Sequence, residues 1–396
     1  MKKRSKFIFH LPPPNYSRWL FSGVMLVGLV ILSFVLGAMA AAQKGAKHDL
    51  FQVFLVSTGL ISLLCLWFLA FLLRVFFNRL DRRSGKRYVD KAQQAENAWW
   101  AYSRQTVALV EAVLVAGVCR TPQQRAQLFN PDYQPAIPKK ADWGIGMALR
   151  SAEVTGECLD EREEQLARLL AMQWREQQTW ATALQPVKCY WHGSSTAWDA
   201  FVEQMAKSWP RVQLPKRPEP WEGVDSLDAI IDQLQGMPAG TRILCAGCQS
   251  SPVQPDSRLP AGEAAVLWLL GPQGGVRLSR GECCDPDYLV ESAEQVLEKS
   301  ELVAAPPLCV SFSHPDVPEL AALGWNTKHS LQDANFGALP DLEAMVVLTL
   351  AASYVTEHGV PCAWMANDPL YPLVLGVVKP SDSSTETPKP DTPVTS

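Results

Sequence analysis

The sequence predicts an α/β protein, an N-terminal transmembrane helical hairpin followed by a layered α/β soluble region. Three observations lead to it. Two uncharged apolar runs, 19–42 and 50–73, stand seven residues apart near the N-terminus. Beyond residue 105, short β-branched runs alternate with amphipathic helical patterns. The charge divides in the same place: residues 1–91 carry 14 Lys/Arg against 3 Asp/Glu, and the remainder carries 22 against 37, inside a formal total of −4.

Each apolar run exceeds the roughly 20 helical residues that cross a ~30 Å hydrocarbon core. A secretory signal has an apolar stretch of about 7–15 residues and is not normally followed so closely by a second span, so cleavage is not expected. Lys2, Lys3, Arg4, Lys6 and Arg18 precede the first run, and Arg74, Arg79, Arg82, Arg83, Lys86 and Arg87 follow the second. The connecting loop holds Lys44, Lys47 and Asp49. Positive charge is retained on the cytoplasmic side, which predicts a two-span protein of a bacterial inner membrane with both termini and the soluble region in the cytoplasm. Trp19, Trp67 and the Phe76/Phe77 pair suit the aromatic enrichment of the headgroup region. The partner expected for residues 19–77 is therefore the lipid bilayer. An acidic soluble part without a basic, aromatic-interleaved patch excludes nucleic acid as a partner.

The expected organisation is a basic N-terminus over 1–18 and the hairpin over 19–77. A basic collar and connecting helix follow over 78–105, then a first α/β half over 106–220 and a second over 221–379. The Pro, Ser, Thr and Asp of 380–396 predict a disordered tail. Within the first half, 106–118 reads as a strand buried on both faces, and Thr121-Pro122 as a helix start. The stretch 157–184 is an amphipathic helix with Asp160, Glu161, Glu163 and Glu164 weighting its first turns, stopped by Pro186. Next come a strand over 187–191 and a helix capped by Ser194 or Ser195, with Trp198, Phe201, Val202, Met205 and Trp209 on one face.

In the second half, helices are expected over 226–234, 293–301 and 341–357, and strands over 242–246, 264–270, 308–312 and 373–378. Alternating helices and strands imply mostly parallel pairing through crossovers. Gly271-Pro-Gln-Gly274-Gly275 reads as a hairpin turn joining 266–270 to 276–278.

Candidate chemistry is sparse. Cys245-Ala-Gly-Cys248, with Cys283 and Cys284 further on, has the spacing of half a zinc site or a redox dithiol. Reduced structural thiols are the default for ten scattered cysteines in the cytoplasm. His314 follows a buried strand in Ser311-Phe-Ser313-His314-Pro315-Asp316, so His314 and Asp316 are the alternative acid/base pair, set against a loop histidine with a turn role. No P-loop, G-x-S-x-G, H-E-x-x-H or Rossmann glycine fingerprint is present. No cofactor is implied.

The order of features over 242–270 resembles the thiolase and ketoacyl synthase superfamily. A buried strand leads into a Cys-Ala-Gly-Cys-Gln-Ser-Ser turn, then Leu-Pro-Ala261-Gly262-Glu263-Ala-Ala and another strand. Asn335-Phe-Gly337-Ala338-Leu-Pro-Asp-Leu-Glu and the helix after it resemble the closing glycine loop and helix of that fold. The resemblance implies a thiolase-like soluble region. It also implies a nucleophilic cysteine at the start of the helix near Trp221-Glu222-Gly223-Val224-Asp225, where this chain has none, and two histidines, of which His314 alone offers a match. A lost thiolate removes the covalent step, so the expectation is a catalytically dead relative and not an enzyme. The layout also resembles two-span inner-membrane proteins of Gram-negative bacteria associated with type VI secretion, including an adaptor for lipase effectors. That likeness implies a non-catalytic role that binds another protein, a secretion effector or spike component.

Overall fold

The computed structural model describes residues 17–43, 47–141, 144–178, 186–210, 212–255, 257–285, 288–313 and 318–381. Two compact units divide the chain, Met1–Trp99 and Trp100–Ser396. The expected tail beyond residue 381 and the first sixteen residues lie outside the described ones.

The first unit is built from α1 (Ser17–Gln43) and most of α2 (Lys47–Ser103). Their apolar windows, Trp19–Met39 and Thr58–Leu80, are 21 and 23 residues long and suffice to cross a membrane. The second overlaps the expected 50–73 over residues 58–73. Gly23 lets the helices approach: a Cβ there would run into the Trp67 indole. Trp67 donates its Nε1–H to Ser22 Oγ at 3.1 Å, and its ring lies 6.4 Å from Trp19 and 5.6 Å from Phe71.

In the second unit the chain runs β1 (Thr106–Ala116), α3 (Pro122–Gln127), β2 (Lys139–Lys140), β3 (Met147–Ala148), α4 (Leu159–Gln177), β4 (Lys188–His192) and α5 (Ser195–Ser208). It continues with β5 (Glu219–Pro220), α6 (Val224–Leu234), β6 (Ile243–Ser250), β7 (Glu263–Gly271), β8 (Val276–Ser279), β9 (Glu282–Cys283) and α7 (Leu289–Lys299). The remainder is β10 (Cys309–Ser311), α8 (Pro318–Ala322), α9 (Asp333–Phe336), α10 (Glu343–His358), β11 (Cys362–Ala366) and β12 (Val374–Lys379). Thr121 and Gln124 form a capping box at α3, Ser194 caps α5, and Gly359 ends α10 at φ +65°.

The sheet order β10-β11-β12-β8-β1-β7-β6-β4-β5 contains a duplication. In the first repeat β4 pairs in parallel with β5 and β6, while β7 is antiparallel to both β6 and β1. In the second, β10 pairs in parallel with β11, while β12 is antiparallel to both β11 and β8. Where the first repeat has β5, the second has only a parallel bridge between Ser311 and Leu331. The pairing is thus mixed and not mostly parallel.

Strand alternation divides the core into layers. Val266, Trp268 and Leu270 of β7 face a central core with α6 and α10, and Ala265, Leu267 and Leu269 face an outer core with α4 and α5. On β11, Cys362 and Trp364 face the central core, while Ala363 and Met365 face a third core with α7. In β1 the register shifts between Leu109 and Glu111, so Val107 and Leu109 share the central core with Leu114 and Ala116. This bulge lets one strand serve both repeats. The hairpin expected at 271–275 does not form, because β7 and β8 each pair with β1 and not with each other. Gly275, at φ +67°, passes so close to the Leu109 carbonyl that a Cβ would clash.

A buried ion cluster holds the outer layer in register. Glu263, with its side chain 0% exposed, accepts from Arg162 Nε at 2.7 Å and Nη2 at 3.0 Å, from Ser250 Oγ at 3.0 Å and from Ser151 N at 3.1 Å. Arg150 adds a contact at 3.4 Å and donates to Ser250 Oγ at 2.7 Å. Removing one partner strands buried charge, which costs about 3–5 kcal/mol. Glu263→Gln is accordingly expected to lower the unfolding free energy by roughly that amount in urea titrations followed by tryptophan fluorescence; a loss below about 1 kcal/mol would show that the cluster is not needed.

Candidate active site

A cleft of about 540 Å³ opens at the carboxyl ends of the parallel strands β4 and β6. This is where open α/β sheets place their sites. Its polar lining includes Glu163 from α4, His192 ending β4, Ser194 capping α5, and Asp341 just before α10. Trp191, Trp221, Pro220, Pro252 and Leu159 supply apolar wall.

The turn from β4 into α5 is forced by Gly193. Its φ is +129°, and a Cβ would sit 2.9 Å from the Cys248 carbonyl oxygen, so the chain must turn at once and bring Ser194 to the cleft. Glu163 is half-buried and accepts a hydrogen bond from Ser250 N at 3.3 Å. Burial nonetheless pushes its carboxyl above the ordinary range, with Asp160 adding in the same direction. Burial pushes the His192 imidazole below its ordinary value, opposed by the Asp341 carboxylate. Asp341 is in turn held by Gln249, whose Nε2 donates to Oδ2 at 3.3 Å while its Oε1 accepts from the amides of Asp341 and Leu342 at 3.3 and 3.1 Å.

The position that the resemblance gives to a nucleophilic cysteine is occupied differently. Gly223 opens α6 at φ +63°, and a Cβ there would run into the Asp368 carboxylate. Asp368 Oδ2 accepts from Val224 N at 2.9 Å and caps the helix, with burial holding its carboxyl above the ordinary range. No side chain fits at 223. Among the buried and half-buried thiols, burial pushes Cys119, Cys189, Cys283, Cys284 and Cys309 up to about 12 and raises Cys245 and Cys248 well above the ordinary value.

His314 and Asp316 lie outside the described residues. Just before them, the amide and hydroxyl of Ser313 both donate to Asp333 Oδ2 at 2.8 Å. The four cysteines weighed as metal ligands do not converge. Cys245 and Cys248 point to opposite faces of β6, into the central and outer cores, Cys284 is buried in the third core and Cys283 is exposed on β9. The Cys-Ala-Gly-Cys segment is strand and not turn, which is what separates the two sulfurs. Among the described residues no group of three or more His, Cys, Asp or Glu is placed to hold a metal ion.

The sequence named Ser194 as a cap and Glu163 as helix-start charge without seeing a site. The signal available was local: His192-Gly193-Ser194 between a buried strand and an amphipathic helix is a strand–turn–helix that presents side chains at a strand end. Glu163 and Asp341 reach the same cleft only through the tertiary fold.

The sequence matches no family profile and no curated protein. Solved structures do match. The ishigamide ketosynthase/chain length factor superposes at TM-score 0.50 with 14% identity, covering 70% of this chain and 99% of that one. The fold is thiolase-like. A ketosynthase from module 1 of the bacillaene synthase of Bacillus amyloliquefaciens gives TM-score 0.49 at 8% identity, covering 73% and 75%. The human mitochondrial 3-ketoacyl-CoA thiolase gives 0.43 at 9%, covering 71% and 100%. The expectation that the chain is not an enzyme is corrected by the first of these, a structure named as a ketosynthase on which the chain superposes at TM-score 0.50. The missing cysteine closes one covalent route without removing the acid–base groups of the cleft. None of the three names concerns secretion.

The shift of His192 has a thermodynamic consequence. Below the ordinary histidine value of about 6.5 the unfolded chain takes up a proton that the folded one resists. The stability contributed by the neutral ring is present above that pH and lost as pH falls below it. In thermal unfolding, His192→Gln is expected to lose less between pH 7 and pH 5 than the wild type does, and an identical loss in both would remove the buried neutral imidazole from the account.

Proposed function

We propose that the chain is a membrane-bound enzyme acting on acyl or lipid substrates. On this reading α1 and the apolar part of α2 anchor it in a bacterial inner membrane, and the charge asymmetry around them leaves the second unit in the cytoplasm. The observation that carries the reading is the cleft itself, which gathers a carboxyl raised by burial and an imidazole lowered by burial. Titratable groups displaced in opposite directions in one concavity are the arrangement that acid–base catalysis requires. The thiolase-like fold supports the substrate class by analogy. The indole and proline wall suits an acyl chain.

Glu163 takes the part of general base, and neutral His192 is a second group of the cleft able to give or take a proton. Burial keeps Cys248, the thiol that lines the cleft, out of the chemistry. Full-length protein in lipid nanodiscs is expected to turn over acyl esters or thioesters, and Glu163→Gln or His192→Ala to reduce kcat by about 10²–10⁴, with the melting temperature kept in Glu163→Gln. Turnover should survive iodoacetamide. An acid limb in kcat/KM, set above the ordinary glutamate value and removed by Glu163→Gln, would mark the base; full activity in both variants would defeat the proposal.

A further inference from the structure

A second cavity, of about 390 Å³, opens at the far end of α6 from the cleft. Leu234, which ends α6, lines it with Gln235, whereas Trp221 of the cleft wall stands three residues before that helix begins, so about 16 Å of helix lies between the two sites. We propose that this cavity binds a phosphate monoester. Two guanidinium groups, Arg104 just after α2 and Arg277 on β8, line it together with the amides of Gln105, Gln235 and Gln273. Among the described residues no acidic side chain lines it. That composition runs against its surroundings, since the chain beyond residue 91 carries 22 Lys/Arg against 37 Asp/Glu.

The donors are held in place by the fold. Arg104 lies over Trp100, with Cζ 5.3 Å from the ring centroid, and pairs with Glu301 at 3.2 Å. Arg277 Nη1 donates to the Pro272 carbonyl in the same wall at 2.9 Å. Gln105 Oε1 accepts from Arg280 Nη2 at 2.9 Å, and because a guanidinium can only donate, the amide end left to a ligand is the donor Nε2. Gln235 Nε2 covers the carbonyls of Thr106 and Ile231 at 3.3 and 3.0 Å. A further cation stands close by. Lys379 of β12 is directly opposite Arg277 of β8, although its Nζ reaches to the Ser300 carbonyl at 3.4 Å. Like charges facing each other across an antiparallel pair destabilise it, and an anion beside them relieves the repulsion.

Phosphate suits this set better than a carboxylate. A phosphate monoester carries close to two negative charges at neutral pH on three strong acceptor oxygens, enough to meet two guanidinium forks from different elements and an amide donor at once. The cavity is larger than the phosphate alone, and Leu234, Met237 and Pro272 offer an apolar wall to the carbon part of the ester. A soluble phosphate monoester and the headgroup of phosphatidic acid share this chemistry.

Full-length protein in phosphatidylcholine nanodiscs would be titrated with glycerol 3-phosphate by calorimetry, and the titration repeated in nanodiscs that also contain phosphatidic acid. The expected result is saturable binding that glycerol does not reproduce, weakened about tenfold or more in Arg104→Gln and in Arg277→Gln. Arg175→Gln, at an exposed arginine of α4 outside the cavity, is expected to leave the affinity as it is. The Arg104 side chain is 42% exposed, so a folding defect confined to Arg277→Gln leaves the test to Arg104→Gln. Phosphatidic acid that competes with glycerol 3-phosphate would identify the occupant as a lipid headgroup, and undiminished binding beside it would identify a soluble ester. No binding of glycerol 3-phosphate in the phosphatidylcholine sample, or an affinity that Arg104→Gln leaves unchanged, overturns the proposal.

Discussion

The outer layer of the fold depends on one buried carboxylate. Glu263 stands at the first position of β7 and binds Arg162 from α4, Ser250 from the end of β6 and the amide of Ser151. Isolated, a charge in that position would not tolerate burial; paired and fully hydrogen-bonded, it fixes where α4 lies against the sheet. One residue along α4 from Arg162 is Glu163, and one face of the same Ser250 donates to it. The cluster that anchors the helix therefore also sets the position of the candidate base. A small rotation of α4 would break both.

The duplication has a counterpart in how the two central helices begin. α10 is capped by Gln249 at the end of β6, and α6 by Asp368 just after β11, so each repeat closes the helix of the other. The two caps differ in charge. At α10 the cap is a neutral amide that also donates to Asp341 beside the cleft, whereas at α6 a carboxylate occupies the helix N-terminus, where the macrodipole favours it. The equivalence of the repeats is thus broken where chemistry could reside.

Much of the fold was legible in the residues. The β-branched run over 106–118, the Thr121-Pro122 start, the Ser194 cap and the small-residue step at Ala261-Gly262-Glu263 each specify an element that forms. Local pattern failed where pairing is long-range. Nothing within 271–276 reveals that β1 inserts between the two segments, and the Cys-Ala-Gly-Cys glycine suggested a turn although every residue of β6 is buried strand. Cys362–Ala366 was missed because a short run after Pro361 shows no alternation when both faces are buried. The site was less legible than the fold, since Glu163, His192 and Asp341 belong to three distant segments and none carries a motif.

The missing thiol at the start of α6 and the titratable groups of the cleft can be set side by side. Around the start of α6 the chain places Asp368 against the helix amides and Asp225 nearby, and both push the neighbouring Cys283 thiol upward beyond what burial does. An anionic nucleophile there would compete with the Asp368 carboxylate for the same amides. At the end of β4 the balance is reversed. The groups facing the cleft are a hydroxyl, a neutral imidazole and a carboxylate made more basic by burial, a set that needs a proton acceptor and not a preformed anion. On the proposed reading, the acid–base groups sit at a strand end and not at the helix N-terminus that Asp368 fills.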